Sequence, residues 1–509
     1  MLPACADVLG FDEVAFQSPR PPVADGGPDA NGGAGGEGGL DGSPTDWGGD
    51  VLSEPTGAWL DAWSDEAAEP ACGDGQCTGD ESCSTCPTDC GECPVSCGDG
   101  ACNGNETCDT CPADCGPCPA VCGDGSCHPS ESCSTCPSDC PAPACPAPPP
   151  GFGVGSGLSP IDVCAFPMRD TETWAARSAL VEQLASVLPV RSVPDVLGDL
   201  NRQGTAVASV PGLANVHRAF RWEQGDMDVT YWVPQGITGS GDSVGGPIGG
   251  KDVILTSWYY DGGAPSKGVR VAFTDAASKA YRFALLVEPY TNGGRADFKA
   301  VDIHAGGLAW WGNLLYVVDT SHGFRVFDTS RILQVSTGVD AIGYDAAAGV
   351  YRAHNYKYVI PQIGAYQHAS SCNPRFSYAA LDRASNPPSI VSGEYIDADP
   401  NGRLFRWAVD PSTGRLAGGV LFVPTEAFYS GQTNIQGAVP AYGRWLLSSS
   451  APPAGHGALY RVAVGASTTY PWSDSPEDLY VDPSTGELWC LSEAVGARYV
   501  YARLVASYQ

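Results

Sequence analysis

The chain has 509 residues, 22 of them cysteine, and a formal charge of −31 concentrated in its first third: residues 1–150 hold 26 acidic side chains and one basic one, Arg20, leaving −6 for the rest. Such an acidic front repels phosphate and anionic lipid, which argues against nucleic-acid binding and against adsorption to a membrane surface. No apolar run reaches the ~18 residues of a spanning helix, so no transmembrane segment is predicted.

Residues 1–5 read Met-Leu-Pro-Ala-Cys, too short for a signal peptide. Leu2 to Cys5 resembles the end of a bacterial lipobox, which makes Cys5 a lipidation candidate and predicts a start codon further upstream; a chance cysteine is the alternative. Any membrane contact would then run through that lipid anchor. Residues 1–71, rich in Gly, Asp, Pro, Ser and Ala, lack apolar periodicity and predict a disordered acidic tether.

Residues 72–145 are three 25-residue repeats of six cysteines each. The first holds Cys72, Cys77, Cys83, Cys86, Cys90 and Cys93; the second Cys97, Cys102, Cys108, Cys111, Cys115 and Cys118; the third Cys122, Cys127, Cys133, Cys136, Cys140 and Cys145. The last spacing is C-x2-C in the first two copies and C-x4-C in the third. With hardly a branched or aromatic side chain between them, these thiols form either a disulfide framework or a metal cage. Six per module, in even number and with no nearby cation to stabilise thiolates, favour three disulfides over zinc, and spacing alone leaves their connectivity open. Disulfides in turn predict export, to the extracellular space or the cell surface. Carboxylates recur at fixed offsets: Asp74, Glu81 and Asp89; Asp99, Glu106 and Asp114; Asp124, Glu131 and Asp139. They are either calcium ligands or turn-forming residues around Gly-Asp-Gly. Calcium is the one candidate cofactor here.

A Pro/Gly linker is expected over 146–160 and a helical lead-in over 161–215. One helix has Thr171 as its N-cap, an apolar face of Trp174, Leu180, Val181, Leu184 and Leu188, and a stop at Pro189. A second spans Val193–Leu200. From 216 to 509 short β-rich runs follow one another, punctuated by turns such as Gly312-Asn313, His322-Gly323 and two Asp-Pro-Ser-Thr-Gly loops. Three- to four-strand units without intervening helices predict a mainly β fold, a β-propeller of five to six blades with six preferred; a β-sandwich is the alternative.

The runs GDMDVTYWVPQGIT (225–238), IHAGGLAWWGNLLYVVDT (303–320), YKYVIPQ (356–362) and PEDLYVDPSTGELWCLSE (476–493) resemble uncharacterised secreted bacterial proteins with a β-propeller-like domain, over residues 170–509. The CGDGxC repeats resemble those of bacterial surface proteins. The resemblance implies a bacterial exported protein and supplies no reaction.

In a propeller the residues that open the inner strands surround an axial mouth. His304, His368, Gln436, Glu477 and Asp478 are the candidates, either for a ligand or divalent cation or as polar groups that satisfy strand ends. Gly241-Asp-Ser-Val-Gly245 matches a nucleophile-elbow string but lies in a Gly-rich loop, so no catalytic residue is assigned. Cys164 and Cys372 are candidates to bridge each other, and Cys490 is expected to be a buried free thiol. The leading functional reading is a binding module on a disulfide-rich stalk, with a protein or glycan ligand. The alternative is a metal-assisted hydrolase or lyase working at the mouth.

Overall fold

The computed structural model describes residues 121–509, apart from 172–173 and 451–455, together with most of 72–116. The tether expected over 1–71, with Cys5, lies outside the described residues, as do Asp99 and the first turn of the helix after Thr171. The chain divides into two compact units, one ending at residue 119 and one running from 120 to 509.

In the first unit both repeats pair cysteines first to fourth and second to fifth: Cys72–Cys86, Cys77–Cys90, Cys97–Cys111 and Cys102–Cys115. Cys83 and Cys108 are disulfide-bonded as well. A single helical turn, Pro87–Cys90 or Pro112–Cys115, ends each loop. Its aspartate reaches back: Asp89 accepts the amides of Asp74 and Gly75 at 3.0 and 3.2 Å, and Asp114 that of Gly100 at 3.0 Å. Gly73 and Gly75, at φ 108° and 84°, hold the left-handed conformations that turn these amides onto one carboxylate.

The third repeat belongs to the second unit. It keeps Cys122–Cys136 and Cys127–Cys140, and Asp139 accepts from Asp124 and Gly125 at 3.2 and 3.3 Å. Its third internal bridge is absent. Cys133 pairs with Cys164 and Cys145 with Cys372. The expected Cys164–Cys372 bridge is therefore corrected: both cysteines are cross-linked, but to the repeat. The odd C-x4-C spacing marks the module whose third and sixth thiols turn outward.

Helix α1 (Trp174–Ala185) buries Trp174, Val181 and Leu184. Helix α2 (Val193–Leu197) starts in a Ser192/Asp195 capping box with Pro194 in its first turn. Strand β1 (Arg218–Arg221) follows, and then five four-stranded antiparallel units, the first two of them joined in one larger sheet. The first has β2 (Trp232–Gly239), β3 (Val253–Tyr260), β4 (Val269–Asp275) and β5 (Ala280–Asn292), with helix α3 (Ser240–Val244) between β2 and β3. The second has β6 (Leu308–Trp311), β7 (Leu314–Asp319), β8 (Gly323–Asp328) and β9 (Tyr358–His368). The third has β10 (Phe376–Asp382), β11 (Ser389–Glu394), β12 (Arg403–Ala408) and β13 (Glu426–Tyr429). The fourth has β14 (Ile435–Ala441), β15 (Arg444–Ser449), β16 (Ala458–Ala463) and β17 (Ala466–Pro471). The last has β18 (Pro476–Asp482), β19 (Glu487–Ser492) and β20 (Tyr499–Leu504), completed by β1, which pairs Arg221 with Tyr499.

The first strands of these sheets form a closed ring, β2 against β6, β10, β14, β18 and back to β2. This is a β-propeller of five blades, the lower of the two expected numbers. Strand content overstates the count because the insertion between β8 and β9 folds a separate hairpin, Ile342–Asp345 with Val350–Ala353. Strand β1 closes the ring by pairing the start of the fold with its end. Blades 1 and 2 are further joined by parallel pairing of Leu285–Val287 with Val359–Pro361. Apolar side chains fill the layers between neighbouring blades: Trp258, Phe283, Trp489 and Val500 between blades 1 and 5, and Tyr316, Phe324, Phe376 and Trp407 between blades 2 and 3. Each blade is covered on both faces, which is why its strands read as near-continuous apolar runs rather than alternating ones.

Candidate functional site

Four of the five inner strands carry a register shift near their start, between Pro234 and Ile237, Phe376 and Tyr378, Ile435 and Gly437, and Pro476 and Leu479. A bulge turns a side chain and frees an amide from the ladder. At this level the strands approach to backbone contact. A Cβ on Gly307 would lie 1.9 Å from Ala379 N, and one on Gly437 would lie 2.8 Å from Leu479 N. Glycine is required there because the five backbones converge on the axis.

The freed amides converge on Asp478. Its Oδ2 accepts Ile237 N at 3.1 Å and Leu308 N at 3.2 Å, from blades 1 and 2. The amides of Leu479 and Ala379 also pull the carboxyl toward ionisation, although Oδ1 has no partner at hydrogen-bond geometry. Burial outweighs them and holds Asp478 well above the usual carboxylate range.

Bulge side chains form a second, interlinked set. Ser377 Oγ donates to Gln436 Oε1 at 3.4 Å, and Gln436 Nε2 donates to Glu477 Oε1 at 3.3 Å. Gln235 Nε2 donates to Glu493 Oε2 at 2.7 Å. Burial, and then the neighbouring Glu493, raise the Glu477 carboxyl well above its ordinary range. The part-exposed His304 ring lies 4.5 Å from Tyr259; burial first and the Arg375 guanidinium second push its imidazole down to about 4. Gln235 Oε1, His304 Nε2 and Arg498 Nη2 are buried without a hydrogen-bond partner. Arg498 is wholly buried, with Nε on Glu493 O at 2.9 Å and Nη1 on Asp226 O at 2.8 Å.

Of the residues nominated from the sequence, Gln436 and Glu477 meet directly. Asp478 adjoins them but faces the strand backbones. His304 stands at the mouth, before β6. His368 is corrected: it ends β9, an outermost strand, and packs edge-on against Phe376. Blade 3 opens at Phe376 instead, so its mouth residue is Ser377. The recurrent repeat carboxylates serve turns. Asp74 and Asp124 accept the amides of Gln76 and Ser126, both at 2.8 Å, and Glu81 and Glu131 those of Thr78 and His128 at 3.2 and 3.1 Å. Among the described residues, the metal-type clusters comprise only Cys72, Cys86 and Asp89 and their counterparts in the other repeats, where the sulfurs are already bonded to each other.

The Gly241–Gly245 stretch forms the short helix α3 rather than an open loop. Ser243 is buried and donates to Gly312 O at 2.6 Å, so its hydroxyl is not presented as a nucleophile. Helix α3 packs against β6 and β18 at the end of the axis opposite the mouth. A cavity of about 810 Å³ lies elsewhere, between the end of α1 and the hairpin after β8, lined by Leu188, Arg295, Tyr344 and Tyr351 among others. None of its lining side chains holds a buried polar atom without a partner.

Sequence reading missed Gln235, Ser377, Arg375, Glu493 and Arg498. A glycine next to a polar residue at a strand start (Gln235-Gly236, Gln436-Gly437) is the one local signal of the bulge level.

No family model and no curated protein sequence matches this chain. Solved structures align weakly. A Trypanosoma rangeli sialidase is 10% identical over 61% of this chain and 59% of its own, with a TM-score of 0.28. A Xanthomonas campestris gluconolactonase is 11% identical over 70% and 89%, at 0.24. Kuenenia stuttgartiensis hydrazine synthase is 11% identical over 50% and 73%, at 0.25.

Proposed function

We propose that this is an exported bacterial binding protein, held outside the cell or on its surface, whose propeller head takes a glycan at the axial mouth and is carried on a disulfide-rich stalk. The observation that carries the reading is the bulge-level set Gln235, Ser377, Gln436 and Glu477 with the unpartnered Gln235 Oε1, His304 Nε2 and Arg498 Nη2. Amides, a hydroxyl, a carboxyl and a guanidinium mix donors with acceptors, which suits sugar hydroxyls that both give and receive hydrogen bonds. The Tyr259 ring beside His304 adds an apolar face. Eight disulfides with both partners described support an oxidising compartment, and no helix among the described residues is long and apolar enough to cross a membrane.

The hydrolase or lyase alternative draws less support. Of the residues nominated for it, His368 sits on an outer strand, and Asp478 faces the strand backbones through the amides of Ile237 and Leu308. The test is an oligosaccharide array probed with the full oxidised chain. Saturable binding to a defined glycan is expected, weakened about tenfold or more in Gln436→Ala, the scale of one or two lost hydrogen bonds. No glycan bound, with a protein ligand captured instead at another face, would sink the reading.

A further inference from the structure

The bridge Cys145–Cys372 ends in the loop between β9 and β10, where Cys372 is buried. That loop is held at three points. Ala369 N donates to Pro167 O at 2.8 Å, Ser370 Oγ to Ala165 O at 2.7 Å, and Arg403 Nη1 to Cys372 O at 3.2 Å. Arg403 in turn grips Glu394 with two bonds of 2.6 and 2.7 Å, and Glu394 Oε1 accepts the amide of Arg375 at 2.9 Å. Two residues later comes Ser377, which donates to Gln436. Ala165 and Pro167 sit beside Cys164, which the same repeat holds through Cys133. Both outward bridges of the third repeat therefore end on adjacent segments that feed one edge of the mouth.

The side chain of Arg375 is exposed, and the nearby Glu394 carboxylate is already occupied by Arg403. Where this guanidinium stands depends on the loop carrying it, since its own backbone amide is the residue's only contact to Glu394.

We infer that the third cysteine repeat is a positioning element of the axial mouth: through Cys145–Cys372 it sets the place of Arg375 and Ser377, and Arg375 is the guanidinium that the loop presents to ligand. The inference builds on the glycan reading of the mouth, and it makes the last repeat a working part of the head rather than only the end of a stalk.

The test uses the full oxidised chain and its Cys145→Ser/Cys372→Ser variant, with Cys133→Ser/Cys164→Ser and Arg375→Ala for comparison. Backbone hydrogen exchange over residues 369–378 should be about tenfold faster in the first variant, with β4 and β5 of blade 1 unchanged as the internal standard. Affinity for the array glycan should fall to a similar degree in that variant and in Arg375→Ala. Exposed Arg375 can be removed without disturbing packing. If the cysteine variant fails to fold, wild-type protein reduced at this one bridge after folding, with the reduced pair located by peptide mass, gives the same readout. Exchange within twofold of wild type at 369–378 would overturn the positioning role. A wild-type chain that binds no glycan, yet shows the local acceleration on loss of the bridge, would sink the glycan reading and uphold the positioning of the loop.

Discussion

Asp478→Ala removes an acceptor on which amides from separate blades converge. Ile237 N and Leu308 N, 3.1 and 3.2 Å from Oδ2, would be left buried without partners at a level where Gly236, Gly307 and Gly437 already bring the backbones into contact. An orphaned buried donor costs about 1–3 kcal/mol, so losing both should cost about 4 kcal/mol. At roughly 2 °C per kcal/mol for a domain of this size, the melting temperature should drop by about 8 °C. Asp478→Asn keeps one acceptor oxygen but turns an NH2 toward the amides of Leu479 and Ala379, so about half that loss is expected. Thermal unfolding followed by near-UV circular dichroism, with all proteins checked for complete oxidation, measures both. A loss below about 1 kcal/mol for Asp478→Ala would refute the idea that a carboxyl hub ties the blades at the axis.

Two further outcomes follow from the buried acids and the buried thiol. Glu477, Asp478 and Asp242 are raised in the folded chain, chiefly by burial, so the native state keeps protons that the unfolded state releases. Their contribution is fully present below the ordinary carboxylate range and is lost as pH rises through the raised values. Stability measured by urea unfolding should therefore decline with pH in that window, and Glu477→Gln should flatten the decline; an unchanged slope would count against burial of a protonated Glu477. Cys490 lies beneath the mouth with Sγ 3.5 Å from Glu477 O, and burial lifts its thiol to about 11. Iodoacetamide should leave it unmodified in the native chain and alkylate it after unfolding without reductant; native labelling there would contradict its packing.

Much of the blade pattern was legible along the chain. Strands at 253–260, 314–319, 444–449, 458–463 and 487–492 fall where apolar runs bounded by Gly, Asn and Asp-Pro turns predict them. Local chemistry settles these, because a run of Val, Leu and Tyr between two turns has few other ways to bury itself. The helices at 174–185 and 193–197 were legible as well, although each ends three residues before its expected bound, Leu188 and Leu200. His304, Gln436, Glu477 and Asp478 were legible as polar residues near strand starts, but His368 looked the same and belongs to an outer strand. Sequence cannot tell an inner from an outer strand, since that depends on which edge faces the axis.

By itself the sequence determined that sulfur chemistry organises residues 72–145, that the fold is β-rich and turn-punctuated, and which residue types were available at strand starts. Only the tertiary structure decided the blade number, the closure by Arg218–Arg221, and the partners of Cys133, Cys145, Cys164 and Cys372. It also decided the bulge level that assembles Gln235, Ser377, Gln436 and Glu477. Each of these depends on residues up to hundreds of positions apart being brought within a few ångströms, and spacing along a chain does not encode such distances until the ring has closed.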